Sequence, residues 1–458
     1  MKVETSETPD DTQAKVPAVV NSVRQLSDLM VKTVHGTIGF TNNGMILGFY
    51  VPTHGDDGAA NIPVFITSDN GLFRCEIGNK TVKIGGHNHT ISDRSIQPLL
   101  DDRWGTQNVK TFLDNPTYHE DFYKNIKKTF EKYLYMPAQA QYGILALWSI
   151  ATYFAQEFSA FPFIFLLGPK ESGKSQALEI ISYISFNALK TKSITESALG
   201  DYADGMRGTI LFDQAERLQP KMIGILADSY KQAGGKRLIT EGKNANRTVR
   251  EFSAYCPKGF AATMCLDRDL MDRCAQFTTV KTTKHLPDIV GDESIWWAIR
   301  DSCYRFLLCK HQEVKTAYGS IHSNGTRRGE LWRPLAAVAQ VIGLPEAELT
   351  EIKNAFDICV SKTKAQLSAI ESGIFQVLQD RAAGEISNFE MTNNDILCKL
   401  ALILPKLEIP TPQQIGQILS LFSLVTEGGK KQKTRRKETY YTFSPDHVMT
   451  ITRMYMDD

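Results

Sequence analysis

Residues 161–175 read FPFIFLLGPKESGKS. Phe161–Leu167 is a continuous apolar run, as a strand buried on both faces requires. It feeds into Gly168-Pro169-Lys170-Glu171-Ser172-Gly173-Lys174-Ser175, which satisfies G-x-x-x-x-G-K-[ST] at every fixed position. QALEIISYI follows with apolar residues at helical spacing, so the order is strand, glycine-containing loop, helix. That context predicts a phosphate-binding loop running from Gly168 to Ser175. Its glycines let backbone N–H groups close around phosphates. Lys174 is placed for the β- and γ-phosphates and the Ser175 hydroxyl for Mg²⁺. The helix N-terminus adds a dipole that favours an anion. ATP and Mg²⁺ are therefore the expected cofactors. A merely structural turn would have no need of Lys174 beside Ser175.

A second buried strand, Thr209–Phe212, ends in Asp213-Gln214-Ala215-Glu216. An acidic residue closing a strand beside a phosphate loop is the expected second contact to the metal, and this is assigned to Asp213. The next position should activate the attacking water, yet Gln214 cannot accept a proton. Three readings stand. Glu216 supplies the base, because period-two geometry puts positions 214 and 216 on one side if the strand persists. Alternatively the natural residue is Glu, and Gln214 is an alteration that traps bound ATP. Or hydrolysis is weak by nature.

Between Asp213 and the next core strand lies YKQAGGKRLITEGKNANRTVREF. Lys236–Thr240 and Thr248–Phe252 read as two strands joined by residues 241–247. The tip carries Lys243 and Arg247, which suit a DNA backbone because binding to phosphates needs no base readout. An ordinary solvated hairpin is the plain alternative. The strand Gly259–Met264 follows, with Thr263 near its end in position to sense a γ-phosphate. Beyond it, Arg273 in DLMDRC is the expected arginine finger, acting in trans on a neighbouring subunit's nucleotide. Arg268 is second choice, and a surface ion pair with Asp267, Asp269 or Asp272 is the competing role for either.

Working outward, residues from about Val16 to Asp93 alternate apolar runs with turn signals and read as a β-rich domain. Asn108–Glu157 is helical in spacing, as is the stretch from about Glu293 to Arg381. The polar N-terminus, MKVETSETPDDTQAK, lacks a hydrophobic signal region. No apolar run approaches the ~20 residues of a membrane span. The 8 cysteines include no CxxC pair, which argues against a zinc ribbon or a disulfide framework and for reduced thiols in a cytoplasmic protein. The net charge of +1 means that DNA binding must be argued from local clusters.

GPKESGKS, ILFDQAE, the hairpin before the sensor strand, GFAATM and DLMDRC together resemble the AAA+ domains of MCM-like replicative helicases, those of plasmids, prophages and chromosomal cassettes above all. The resemblance runs from about Asn108 to the C-terminus. It implies a hexameric ring and a helical lid with a second sensor arginine, for which Arg327, Arg328 and Arg333 in TRRGELWRP are the choices. Gln214 departs from the family's Glu, and the N-terminal region has no zinc-binding cysteines, unlike many MCM proteins.

In the C-terminal region, SAIESGIFQVLQD, NNDILCKLALIL and a helix begun by Thr411 and Pro412 precede a basic hairpin, the layout of a winged helix. Gln413, Gln414 and Gln417 should face outward, and the wing carries Lys430, Lys431, Lys433, Arg435, Arg436 and Lys437, an electrostatic footprint for phosphates. The expected architecture is thus α/β: a disordered leader (1–20), a β-rich N-terminal domain (21–105), a helical linker (106–160), a P-loop AAA+ ATPase core (161–285), a helical lid (286–367) and a winged helix (368–458). The expected function is an ATP-dependent DNA helicase or translocase, with one strand in the pore and duplex on the winged helix, and with neither zinc nor membrane involved. A non-translocating DNA-binding ATPase switch, as in transcription or transposition control, is the alternative; it would not need the hairpin. A small-molecule kinase would leave the finger and wing without a purpose.

Overall fold

The apolar run that ends at the phosphate loop is one strand of a five-stranded parallel sheet. The computed structural model describes residues 32–55, 58–74, 81–241, 248–280, 282, 284–289, 293–361, 369–403, 410–421, 424–425, 430–433 and 438–456. The expected leader, the hairpin tip with Lys243 and Arg247, and Arg435, Arg436 and Lys437 lie outside the described residues. The chain divides into two units, Met1–Asp102 and Arg103–Asp458.

In the first unit, β1 (Lys32–Val34), β2 (Ile38–Thr41), β3 (Gly44–Gly55), β4 (Gly58–Thr67), β5 (Leu72–Arg74), β6 (Thr81–Ile84) and β7 (His87–Ile91) form two sheets, ordered β2-β3-β4-β5 and β1-β7-β6. In β6 exposed Thr81 and Lys83 alternate with buried Val82 and Ile84, the period of two that a half-buried strand imposes. Val34, Ile46, Phe65, Val82, Ile84 and Ile91 make the core.

The second unit opens with helices Thr106–Asp114, Phe122–Tyr133 and Gln139–Ala151. The last is apolar on nearly every side and accordingly buried. The Trp148 indole N–H donates to Pro162 O at 2.8 Å, fastening that helix to the start of the core sheet. The sheet comprises β8 (Phe163–Leu167), β9 (Leu189–Thr191), β10 (Ile210–Asp213), and, after the antiparallel hairpin of β11 (Lys236–Glu241) and β12 (Thr248–Ser253), β13 (Lys258–Ala262) and β14 (Cys274–Thr278). Its order is β14-β8-β13-β10-β9, with every neighbour parallel. Burial on both faces explains the apolar runs Phe163–Leu167, Ile210–Phe212 and Gly259–Ala262 within β8, β10 and β13. Each hairpin strand extends one residue beyond its expected end.

Helices Glu293–Ser320, Arg327–Ile342 and Glu346–Ser361 follow. Thr326 caps the second, its hydroxyl accepting from Gly329 N at 3.1 Å, and Gly343 ends it with φ 77. The C-terminal region runs helix Ala369–Ala382, β15 (Phe389–Thr392), helices Asn393–Ile403 and Pro412–Leu421, β16 (Lys430–Lys433), β17 (Glu438–Phe443) and helix Pro445–Met456, with the strands in the antiparallel order β15-β17-β16. Ile374, Leu378, Ile396, Leu400, Ile415 and Phe443 are among its core residues. No described helix is long and apolar enough to cross a membrane.

Candidate active site

Pairing registers decide which residues meet. Ala262 lies opposite Leu167, and Ala261 opposite Asp213. The phosphate loop, Thr263 and Gln214 therefore all leave the sheet at its C-terminal edge, where parallel α/β sheets bind ligands.

The loop conformation needs its glycines. Gly173 has φ 84, a left-handed geometry available to glycine at no steric cost. A Cβ on Gly168 would meet Thr279 Oγ1 at 2.3 Å and Thr279 O at 2.4 Å. Glu171 also takes φ 62. Ser172 is buried and ties the loop down, its hydroxyl donating to Pro169 O at 2.8 Å and lying 2.7 Å from Thr279 Oγ1. Lys174 curls over the loop and donates to Gly168 O at 2.7 Å and to Pro169 O at 2.5 Å. Burial pushes its ammonium down from the ordinary lysine value, while the Glu216 and Asp213 carboxylates push it back up.

The Ser175 hydroxyl donates to Asp213 Oδ1 at 3.1 Å. Adjacent oxygens around an octahedral Mg²⁺ with ~2.1 Å bonds lie about 3 Å apart. Two hard oxygens at this spacing fit Mg²⁺, with nucleotide phosphates and water as the remaining ligands. Among the described residues no group of three or more His, Cys, Asp or Glu is arranged for a metal.

The strand does not persist to Glu216. β10 ends at Asp213, Gln214 turns the chain with φ 62, and Ala215–Arg217 form a 3-10 turn. The period-two argument for Glu216 is thereby overturned, but the turn still delivers its carboxylate to the site. Thr263 Oγ1 donates to Glu216 Oε1 at 3.5 Å, at the outer limit of a hydrogen bond. Glu216 Oε2 is buried with no hydrogen-bond partner among the described residues. Thr263 itself lies just past the end of β13.

Beside the loop, a cavity of about 110 Å³ runs between Leu134–Met136 on one side and Thr279, Val280 and Leu286 on the other. No motif in the sequence marks these residues; the only signal is the apolar YLYM that closes a helix.

Arg273 sits at the opposite edge of the sheet. Its backbone oxygen accepts from Phe163 N at 2.9 Å, at the first residue of β8. Five residues of strand at ~3.3 Å each separate that level from Gly168, about 16 Å. This exceeds the reach of one arginine side chain. The guanidinium donates through Nε to Ala227 O at 3.1 Å and through Nη1 to Asp269 O, and it lies 5.6 Å from the centre of the Tyr230 ring. Arg327 lies over the same ring at 4.4 Å. Arg333 is used elsewhere: it donates to Tyr318 O at 2.7 Å and stacks on that ring at 4.0 Å. Arg328 is half-buried. Arg268 pairs with Glu371 at 3.2 Å.

Thr411 and Gln414 form a reciprocal cap: Gln414 Oε1 accepts from Thr411 N at 2.8 Å, and Thr411 Oγ1 accepts from Gln414 N at 3.3 Å. Gln414 is exposed, as are Gln413 and Gln417, but its amide oxygen is committed to the helix end. Lys430, Lys431 and Lys433 lie on β16, the strand that pairs with β17 alone.

No family model matches the chain, nor does any curated protein. Among solved structures it is similar to the apo C-terminal region of NrS-1, with 9% identity, 84% of this chain and 95% of that chain covered, and a TM-score of 0.35. A full-length MCM homolog from Methanopyrus kandleri matches with 13% identity over 71% and 73% of the two chains, TM-score 0.35. The JCV helicase matches with 14% identity over 56% and 64%, TM-score 0.23. Likeness this distant transfers no residue roles.

Proposed function

We propose that the chain is an ATP-driven DNA helicase of the ring-forming AAA+ type, serving replication of a mobile genetic element. The observation that carries this is the division of the sheet. A phosphate loop with the Ser175–Asp213 pair stands at one edge, and Arg273 and Arg327 gather around Tyr230 by the other. A chain with its nucleotide and its finger on opposite edges completes a site only when a second copy abuts it, as in a head-to-tail ring.

In that ring, Gly168–Ser175 and Lys174 would hold the ATP phosphates, and Ser175 and Asp213 would hold Mg²⁺, which would supply positive charge beside the transferring phosphoryl group. The base enters the cavity beside Leu134–Met136. Glu216 takes the proton of the attacking water, the role that Gln214 cannot fill. Thr263 reports the γ-phosphate to the sheet. Arg273 and Arg327 of one copy act on the nucleotide of the next, which makes Arg327 the lid arginine among the three choices. The hairpins with Lys243 and Arg247 grip one strand in the pore. The C-terminal region works as a winged helix, engaging duplex through Lys430, Lys431, Lys433, Arg435, Arg436 and Lys437.

The test is Mg²⁺-dependent ATP hydrolysis with and without single-stranded DNA. DNA should accelerate it, and Glu216→Gln should remove the acceleration and most of the basal rate. Hydrolysis that Glu216→Gln leaves unchanged would overturn the assignment of the base.

A further inference from the structure

We propose that Glu330 is the positioning residue of the Arg273–Arg327 pair, a role that rests on the reading of those arginines as fingers acting on a neighbour's nucleotide. Three cations surround the Tyr230 ring: Arg327 at 4.4 Å, Lys231 at 5.3 Å and Arg273 at 5.6 Å from its centre. Like charges so close repel unless anions hold them. Asp272 lies 3.5 Å from Arg327 Nε, and Asp269 lies 3.9 Å from Arg273 Nη1. Asp269 is 87% exposed and therefore well screened by water.

Glu330 differs from both. Its side chain is 25% exposed, and it reaches three members of the cluster at once. Oε1 lies 2.6 Å from Lys231 Nζ. Oε2 accepts from the Tyr230 hydroxyl at 3.3 Å and lies 3.6 Å from Arg327 Nη1. One carboxylate thus fixes the ring on which both guanidiniums lie and orients one of those guanidiniums directly. Arg327 Nη1 makes that ion pair but has no hydrogen-bond partner among the described residues. Nη1 is itself buried, so it is the charge of Glu330 that aligns this face of the guanidinium.

The parts are tied to different elements. Glu330 is in the first turn of helix Arg327–Ile342. Tyr230 is anchored at the foot of β8, its backbone oxygen accepting from Phe161 N at 2.8 Å. Glu330 therefore couples the posture of that helix to the posture of the fingers, without itself touching nucleotide.

The experiment measures kcat and KM for ATP in the assembled protein carrying Glu330→Gln, Glu330→Asp, Arg273→Ala, or Glu330→Gln with Arg273→Ala. Misplacing a catalytic group by about 1 Å costs on the order of 10²-fold. Glu330→Gln should lower kcat by about that factor with little change in KM, because its own phosphate loop lies at the other sheet edge. Glu330→Asp should restore part of the loss. Adding Glu330→Gln to Arg273→Ala should cost less than the product of the two single losses, because part of Glu330's effect runs through Arg273 and part through Arg327. Tyr230→Phe, which removes only the hydroxyl that Glu330 accepts, should lower kcat in the same direction and serves if Glu330→Gln fails to fold. A normal kcat in Glu330→Gln beside an impaired Arg273→Ala, or fully multiplicative losses in the double variant, would overturn the proposal alone. Normal hydrolysis by Arg273→Ala would overturn the finger reading, and Glu330's role with it.

Discussion

Arg273→Ala separates a finger that acts across a boundary from one that acts at home. Its backbone sits at the first residue of β8, and about 16 Å of strand lies between it and the phosphate loop. Nucleotide binding by the subunit's own loop should therefore survive. Hydrolysis should fall by about 10³–10⁵, the worth of a finger in other phosphate-loop enzymes. That is about 4–7 kcal/mol of transition-state stabilisation at 1.36 kcal/mol per factor of ten. Mixing Arg273→Ala with Lys174→Ala subunits then gives a number. In randomly mixed rings, about one quarter of head-to-tail interfaces pair an intact loop with an intact finger. Turnover should recover to about that share if sites fire independently, and to less if they are coordinated. The assay is steady-state ATP hydrolysis at equal total protein, with subunit exchange followed by fluorescence, in the Gln214→Glu background if the native rate is too slow to read. Full activity of Arg273→Ala alone, or an inactive mixture in which mixed rings form, refutes the reasoning and turns attention to Arg268.

Lys174→Ala should abolish ATP binding, read by calorimetry, while its melting temperature stays within a few degrees of the parent's, because the side chain closes over a surface loop and fills no core. Gly168→Ala should impair binding as severely and also destabilise the protein by about 1–3 kcal/mol in chemical denaturation, since the added methyl collides with Thr279. Neutralising Lys430, Lys431, Lys433, Arg435, Arg436 and Lys437 should weaken duplex binding and flatten its log–log salt dependence by about 0.9 for each phosphate that is no longer neutralised. An unchanged slope would leave the wing a solvated loop.

The core strands β8, β10 and β13 can be read from sequence because burial on both faces leaves the apolar runs Phe163–Leu167, Ile210–Phe212 and Gly259–Ala262. β9 has only Leu189–Thr191, and β14 carries the buried polar Gln276, so neither announces itself. The Gly168–Ser175 loop is legible because phosphate binding, the role proposed for it, demands fixed spacing. Period-two spacing reaches Glu216 by a wrong route: it needs a strand that continues, whereas Gln214 takes a left-handed turn whose local cost only the surrounding structure can repay. The cluster around Tyr230 is legible only in part. Arg273 and Arg327 stand out in sequence as single candidates, but Tyr230, Lys231 and Glu330 do not, and the five come from three separate stretches that meet only through tertiary folding, so no periodicity or motif marks their assembly.

The central claim is that ATP hydrolysis moves DNA. The most direct measurement is release of a labelled strand from a forked duplex bearing both single-stranded tails, at saturating Mg²⁺ and ATP. The account predicts release that requires hydrolysable ATP, quickens or is unchanged with Gln214→Glu, and vanishes with Lys174→Ala. Rapid ATP hydrolysis on bound fork DNA with no strand released, in both the parent and Gln214→Glu, would contradict it and leave a DNA-binding switch in its place.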